Sequence, residues 1–434
     1  MENKKLTVAV YSLITVASLS VSVLFIYYIL NSNPSGYNSY ITYKNYFSFC
    51  GGYVYTAGDT VKISKNSEYN DLNFEVRNLI TDKIVREKAS DLKCDLSGIK
   101  FNELQRGTVT DKIVLIESGI YVFILRSGNL NLYQNVLFVN EKNDNPEINI
   151  VLSDNTWICY NEFGGRSNYR DSITPGIIKT IDHFRNRDCR YLYNLSMYRP
   201  ISINNEETEM LINDNYEIKE SRIYHCVVSE IPLIKLLFEK YRKNFKITDC
   251  IGFENAAVSG NNKLFIFNGH SEYWTGKMMG RLNILKASSN ILFFSGNNIF
   301  REVSRNGENL TVTRNKIPKE ITTKLTGTFY RIKDFTNSSA FRIIDTDNFL
   351  FEGITSTEIG GYKAASIETD AINEYTDGTF ELLASGISID CDIVLQTNKN
   401  NKYLLNTSSI GSYNGLKEEN FRKFITNYID VSLK

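Results

Sequence analysis

Several residue types are scarce in this 434-residue chain, and each scarcity closes a door. Only three histidines occur, so any chemistry that leans on imidazole has few places to be. Seven cysteines are an odd number, and neither a C-x-x-C pair nor a Cys/His cluster with zinc spacing is present, which argues against a structural zinc site. Neither charge is in excess: 49 basic side chains balance 49 acidic ones, without blocks of one sign. A nucleic-acid partner is therefore not expected. Six prolines, a 42% hydrophobic fraction and 23% charged residues are the composition of a folded chain. No internal repeat and no low-complexity stretch is visible. The length exceeds one ordinary core and points to two or three domains.

What is present begins at the N-terminus. Residues 6–30 carry no charge and follow "MENKK". As a helix they would span roughly 37 Å, enough for a bilayer core of about 30 Å. The run ends in "FIYYILNSNPSG", with boundary aromatics and no small-residue cleavage site, so a signal anchor is expected rather than a cleaved leader. Lys4 and Lys5 would keep the short N-terminus cytoplasmic, making a single-pass membrane protein with an extracytoplasmic body. For an exported body, Cys50 and Cys94 would be the pair to test for a disulfide, because both fall in the first folded region.

Three textures follow the anchor (residues 1–35). Over residues 43–143, runs such as "YVYTAGDTVKISKN", "LNFEVRNLI" and "GIYVFILRSG" alternate with Gly, Asn and Asp. Short strands at regular spacing predict a β-sandwich, with a docking or spacer role. "EKNDNPEIN" reads as a linker. Residues 147–434 then mix short apolar runs ("INIVLSD", "KLFIFNG", "NILFFSGNN") with helical periodicity, as in "SEIPLIKLLFEKYRKNF". There Ile234, Leu237, Phe238 and Tyr241 share one face, and Pro232 would sit in the first turn. Strands apolar on both faces, alternating with helices, predict an α/β domain with a mostly parallel sheet. From about residue 325 short β-like runs return as an extension, and "LKEENFRKFITNYIDVSL" closes the chain as an amphipathic helix.

Ligands of open α/β sheets bind at the carboxyl ends of strands. Two apolar runs end there in polar clusters: Asn268-Gly269-His270-Ser271-Glu272 and Ser295-Gly296-Asn297-Asn298. If the strands are neighbours, His270, Glu272 and Asn297 converge. A third cluster, "DNTWICYNEFGGRSNY", has the composition of a loop lining a polar pocket, and "RYLYNLSMYRPI" adds further tyrosines. The plainer reading is that Glu272 caps a helix and Asn297 turns the chain.

These segments, together with "IPLIKLLFEKY", "FNGHSEYWTGKM", "ILFFSGNNIFREV" and "NTSSIGSYNGL", resemble the large (beta) subunit of N,N-dimethylformamidase and its relatives. The preceding β-region is similar to the immunoglobulin-like domain that often accompanies that family. The resemblance implies an α/β domain of the class I glutamine amidotransferase-like type without its cysteine nucleophile. It also implies amide hydrolysis at one ferric ion held by two tyrosines and a glutamate. Carried over, Glu272 would be the carboxylate ligand and Tyr160 one phenolate. Tyr193 would be the second, with Tyr191 and Tyr198 as alternatives. His270 and Asn297 would position water and the amide carbonyl, and Glu368 of "SIETDAI" would be the general base. A small amide-like substrate is implied, and a homo-oligomer or a small partner subunit is compatible with it. Hard oxygen donors suit such an ion, which can polarise a carbonyl and acidify water.

Two other readings remain at this stage. Ser271 could act as a nucleophile with His270 as base, although adjacent residues rarely point at one another in a strand-end turn. Alternatively the chain is a non-catalytic extracytoplasmic binding or structural protein that keeps the fold, since a fold does not confer an activity.

Overall fold

The computed structural model describes residues 45–92, 109–143, 145–161, 163, 167–168, 194–197, 199–201, 203–214, 226–242, 244–256, 262–307, 309–314 and 316–434. Its first part is a pair of sheets. The strands are β1 (Tyr46–Phe49), β2 (Val54–Thr56), β3 (Thr60–Asn66), β4 (Leu72–Asn78), β5 (Ile84–Lys88), β6 (Asp111–Val114), β7 (Gly119–Ser127) and β8 (Leu130–Asn140). They form one sheet in the order β1-β3-β6 and another in the order β2-β8-β7-β4-β5. Aromatic side chains weld the two: the Phe47 ring meets Phe74 edge-on at 5.4 Å, and Phe49 meets Phe123 at 5.1 Å. Strand β7 is buried on both faces over most of its length, unlike a strand with one wet face.

The second face of that sheet is covered by the rest of the chain. Trp157 packs edge-on against Tyr53 at 5.7 Å. The Asn140 side-chain amide mimics a strand backbone, donating to the Ile247 carbonyl at 2.9 Å and accepting from the Ile247 amide at 2.7 Å. The hydrophobic core runs on from one part to the other.

The remaining strands are β9 (Ile148–Val151), β10 (Asn194–Ser196), β11 (Phe245–Thr248), β12 (Leu264–Gly269), β13 (Tyr273–Thr275), β14 (Asn290–Ser295), β15 (Arg301–Asn306), β16 (Asn309–Arg314), β17 (Phe329–Ser339), β18 (Phe341–Ile343), β19 (Glu358–Ile359), β20 (Ala365–Ala371), β21 (Phe380–Gly386), β22 (Asp392–Thr397) and β23 (Tyr403–Asn406). Nine of them make one sheet in the order β11-β9-β12-β14-β23-β22-β21-β18-β19. From β11 to β23 every pairing is parallel; from β23 to β19 every pairing is antiparallel. The expected mostly parallel sheet is thus corrected to a mixed one in a strand-rich fold. The physical reason lies in the connections: residues 387–391 and 398–402 are too short to carry a crossover, so β21, β22 and β23 must fold back as hairpins. A separate antiparallel pair, β17 with β20, lies outside this sheet.

Two helices matter for the site. Helix α1 (Asp154–Tyr160) leaves the end of β9, and α2 (Val227–Tyr241) carries the apolar face read from sequence. Pro232 is inside α2, past its first turn, because the helix begins at Val227.

The expected membrane-spanning helix over residues 6–30 lies outside the described residues, as does Cys94. Among the described residues no helix is long and apolar enough to cross a membrane. The single-pass placement, and a membrane partner through that helix, are not supported by the described residues.

Candidate active site

From β9 the chain builds β11 on one side and later β12 on the other. A crevice opens at the carboxyl ends of strands where the order reverses in this way. The segments following β9 and β12 meet there. Ser153, just after β9, donates its backbone N–H to Glu230 Oε1 at 3.1 Å and its hydroxyl to the Asn268 carbonyl at 2.6 Å. Trp157 Nε1 donates to the same Glu230 oxygen at 2.8 Å. Burial pushes the Glu230 carboxyl well above the usual carboxylate range. Gly269 ends β12 with φ 75°, and a Cβ there would lie 2.4 Å from Glu230 Cγ. Only glycine satisfies both the left-handed backbone and the close approach.

This turn delivers His270 and Glu272 into the crevice, both essentially buried. Tyr160, at the end of α1, donates its hydroxyl to Glu272 Oε2 at 3.0 Å. Arg301, the first residue of β15, donates Nε to Glu272 Oε1 at 2.7 Å. The phenol ring of Tyr160 stands edge-on to His270 at 5.4 Å.

The turn after β14 and the strand β20 supply the opposite wall. His270 Nε2 lies 3.5 Å from Glu272 Oε2 and 3.2 Å from Glu368 Oε2. Asn297 Nδ2 donates to Glu368 Oε2 at 2.8 Å and lies 3.4 Å from His270 Nε2. These distances assign the tautomer. Nε2 faces two carboxylate oxygens, so it carries the proton, and the imidazole and the Asn297 amide both donate to Glu368. Beneath them Asp370 accepts from the backbone N–H of Asn297 at 2.8 Å and from the Asn298 side chain at 3.2 Å. Desolvation raises the Asp370 carboxyl to about 7, against the pull of those donors. Burial, reinforced by Glu368, Glu272 and Asp370, raises the Tyr330 phenol as well.

Tyr160, His270, Glu272, Asn297 and Glu368 are thus in one place, although they come from four separate stretches of chain. Tyr193 and its alternatives Tyr191 and Tyr198 lie outside the described residues. Among the described residues no group of three or more His, Cys, Asp or Glu side chains is arranged to hold a metal ion; the phenol–carboxylate pair of Tyr160 and Glu272 is a different kind of donor set. The Ser271 nucleophile reading lacks its geometry. Ser271 Oγ accepts from Trp274 Nε1 at 3.0 Å, while His270 Nε2 is directed at carboxylates.

Sequence reading missed Arg301, Asp370 and Tyr330. Asp370 could have been found: once Glu368 is placed on a strand, Asp370 two residues on shares its face.

A model of the N,N-dimethylformamidase beta subunit-like, C-terminal family matches residues 106–420. No curated protein matches the chain. The matched span contains every residue of the crevice described above, and covers well over half of the sequence: the chain belongs to the N,N-dimethylformamidase beta subunit-like family.

Proposed function

We propose that the protein hydrolyses carbon–nitrogen bonds of amides in this crevice, with Tyr160 and Glu272 holding one ferric ion. The observation that carries the reading is the 3.0 Å approach of the Tyr160 hydroxyl to Glu272 Oε2. A phenol and a carboxylate that close can share one cation, and both are hard oxygen donors suited to a hard ion. The second phenolate would come from Tyr193, Tyr191 or Tyr198. Bound there, the ion would supply Lewis acidity to an amide carbonyl and to water.

The protein's own groups then divide the work. Arg301 fixes one oxygen of Glu272 and leaves the other turned towards Tyr160. Glu368 is the general base for the attacking water, its Oε2 steadied by the Asn297 amide. His270, whose Nε2 lies between the two carboxylates, relays to the departing amine the proton that Glu368 takes from the attacking water. Asn297 orients the base, and Asp370 in turn orients Asn297. Burial of His270, Glu272 and Glu368 excludes bulk water, which strengthens each of these interactions. Residues 43–143 serve as a β-sandwich unit that buttresses residues 147–434 through Tyr53 and Asn140. A small amide is the substrate class, and a partner subunit is compatible with the reading.

Metal analysis and absorption spectroscopy of the purified full chain test this. Near-stoichiometric iron is expected, with a visible tyrosinate-to-iron band that changes in Tyr160→Phe and iron that is lost in Glu272→Ala. A protein that stays colourless and metal-free after reconstitution with ferric salt removes the reading.

A further inference from the structure

We infer that the amide accepted by this crevice carries an anionic group, a carboxylate, on an apolar body, and enters with the amide inward and the carboxylate outward. The inference rests on the amidase reading of the site, and it deepens that reading by naming the substrate class.

Polarity and burial change together from the buried carboxylates to the surface. At the bottom Glu272, Glu368 and Asp370 are buried, between 1% and 5% exposed. Next comes a half-buried layer of Arg301, Phe300 and Tyr330, and outermost is Lys316, which is exposed. Phe300 joins these groups: its ring lies 5.3 Å from Tyr330 and 5.9 Å from Phe329. Arg301 Cζ stands 5.5 Å from the Phe300 centroid and 5.9 Å from Tyr273. Lys316 Nζ lies 5.9 Å from Phe300 and 5.4 Å from Phe329.

The two cations differ in what they already do. Arg301 is committed to Glu272. Lys316 has no ion pair among the described residues; aromatic faces hold it at the rim, and its charge is available to a ligand. The chain of contacts therefore runs from carboxylates inside to an ammonium outside, past aromatic rings. Of the two ends only the outer presents a cation without an ion pair among the described residues, so an anion is attracted there. A neutral amide would feel no such pull. A ligand with an amide at one end, a carboxylate at the other and an apolar or aromatic body between them satisfies all three zones.

Calorimetric titration of the full chain with N-acetylphenylalanine and with its neutral analogue N-acetylphenylalaninamide tests the inference without requiring turnover. The acid is expected to bind about tenfold more tightly than the amide at low ionic strength. The gap should shrink with added salt, disappear in Lys316→Ala and reverse in Lys316→Glu. Lys316 is exposed, so these variants should unfold at the wild-type temperature. Equal binding of the two probes, binding of neither, or a gap that survives in Lys316→Ala overturns the inference. Hydrolysis followed in the same samples separates the two claims. Preferential binding without cleavage keeps the charge preference and removes the amidase reading. Cleavage without preference does the reverse.

Discussion

The backbone N–H of Asn297 donates to Asp370 Oδ1 at 2.8 Å while Asn297 itself holds φ 49°. Left-handed backbone is uncommon outside glycine, although asparagine tolerates it better than most residues. A buried carboxylate below the turn compensates for that strain, and the Asn297 amide is thereby presented to Glu368. The strained turn, its anchor and the proposed base form one unit.

That anchor gives the protein a pH signature. The Asp370 carboxyl titrates at about 7 in the fold, where desolvation is the largest cause, against an ordinary value near 3.8. The native state therefore holds a proton that the unfolded chain has released across this window. Its contribution to stability is complete below about pH 4 and is lost as pH rises through about 7. Urea midpoints measured from pH 4 to 7 should decline with pH in the wild type and decline less in Asp370→Asn. Parallel curves for the two proteins would place the proton elsewhere.

The glycine of the same turn is held by backbone rather than by flexible side chains. A Cβ on Gly296 would lie 2.4 Å from the Glu368 carbonyl oxygen and 2.7 Å from the Ile410 amide nitrogen. Neither atom can swing aside, so Gly296→Ala must displace β20 from β14. A loss of about 1–3 kcal/mol is expected from overpacking of this kind. The displacement would also move Glu368 away from Asn297. Thermal unfolding of the variant checks the first point; an unchanged midpoint would mean that β20 yields easily.

Much of this region could be read in advance. The runs that became β12 and β14 are apolar on both faces, as strands in the interior of a sheet are. Their polar ends followed from the same logic, which is why His270, Glu272 and Asn297 were placed together. Strand direction was less accessible. Apolar character is the same for a parallel and an antiparallel interior strand, and the short links flanking β22 were the clue that a fold-back was needed. Arg301 and Tyr330 were invisible for a different reason: each is an ordinary residue locally, and only the long-range pairings of β13 with β15 and of β17 with β20 bring them to the crevice.

Glu230 offers a test of how the floor of the crevice is built. Its Oε1 accepts from both the Ser153 amide and the Trp157 indole, and burial pushes the carboxyl well above its ordinary range. Glutamine preserves the shape and the accepting oxygen without a buried charge, so Glu230→Gln should change stability by less than about 1 kcal/mol. Alanine leaves two buried donors unpaired beside a cavity, and a loss of about 2–5 kcal/mol is expected. Chemical denaturation of the pair distinguishes them. A large loss in Glu230→Gln would show that an ionised carboxylate is required there.

The proposed base can be tested by adding one charge next to it. Asn297 Nδ2 sits 2.8 Å from Glu368 Oε2, so Asn297→Asp sets two carboxylates against each other at hydrogen-bond distance. Such a pair shares one proton, and the first ionisation of one member no longer leaves the other free to ionise at its ordinary pH. Once a hydrolysed amide is in hand, the acidic limb of its pH–rate profile should move to higher pH in Asn297→Asp. Glu368→Gln should instead lower kcat at all pH values, by about 10²–10⁴-fold, the usual worth of a general base. Asn297→Ala removes the orienting donor without adding charge; it should lower the rate and leave the limb near its wild-type position. If Asn297→Asp and Asn297→Ala give the same profile, the limb does not report Glu368. The base must then be sought among the other carboxylates of the crevice, with Asp370 the first to replace.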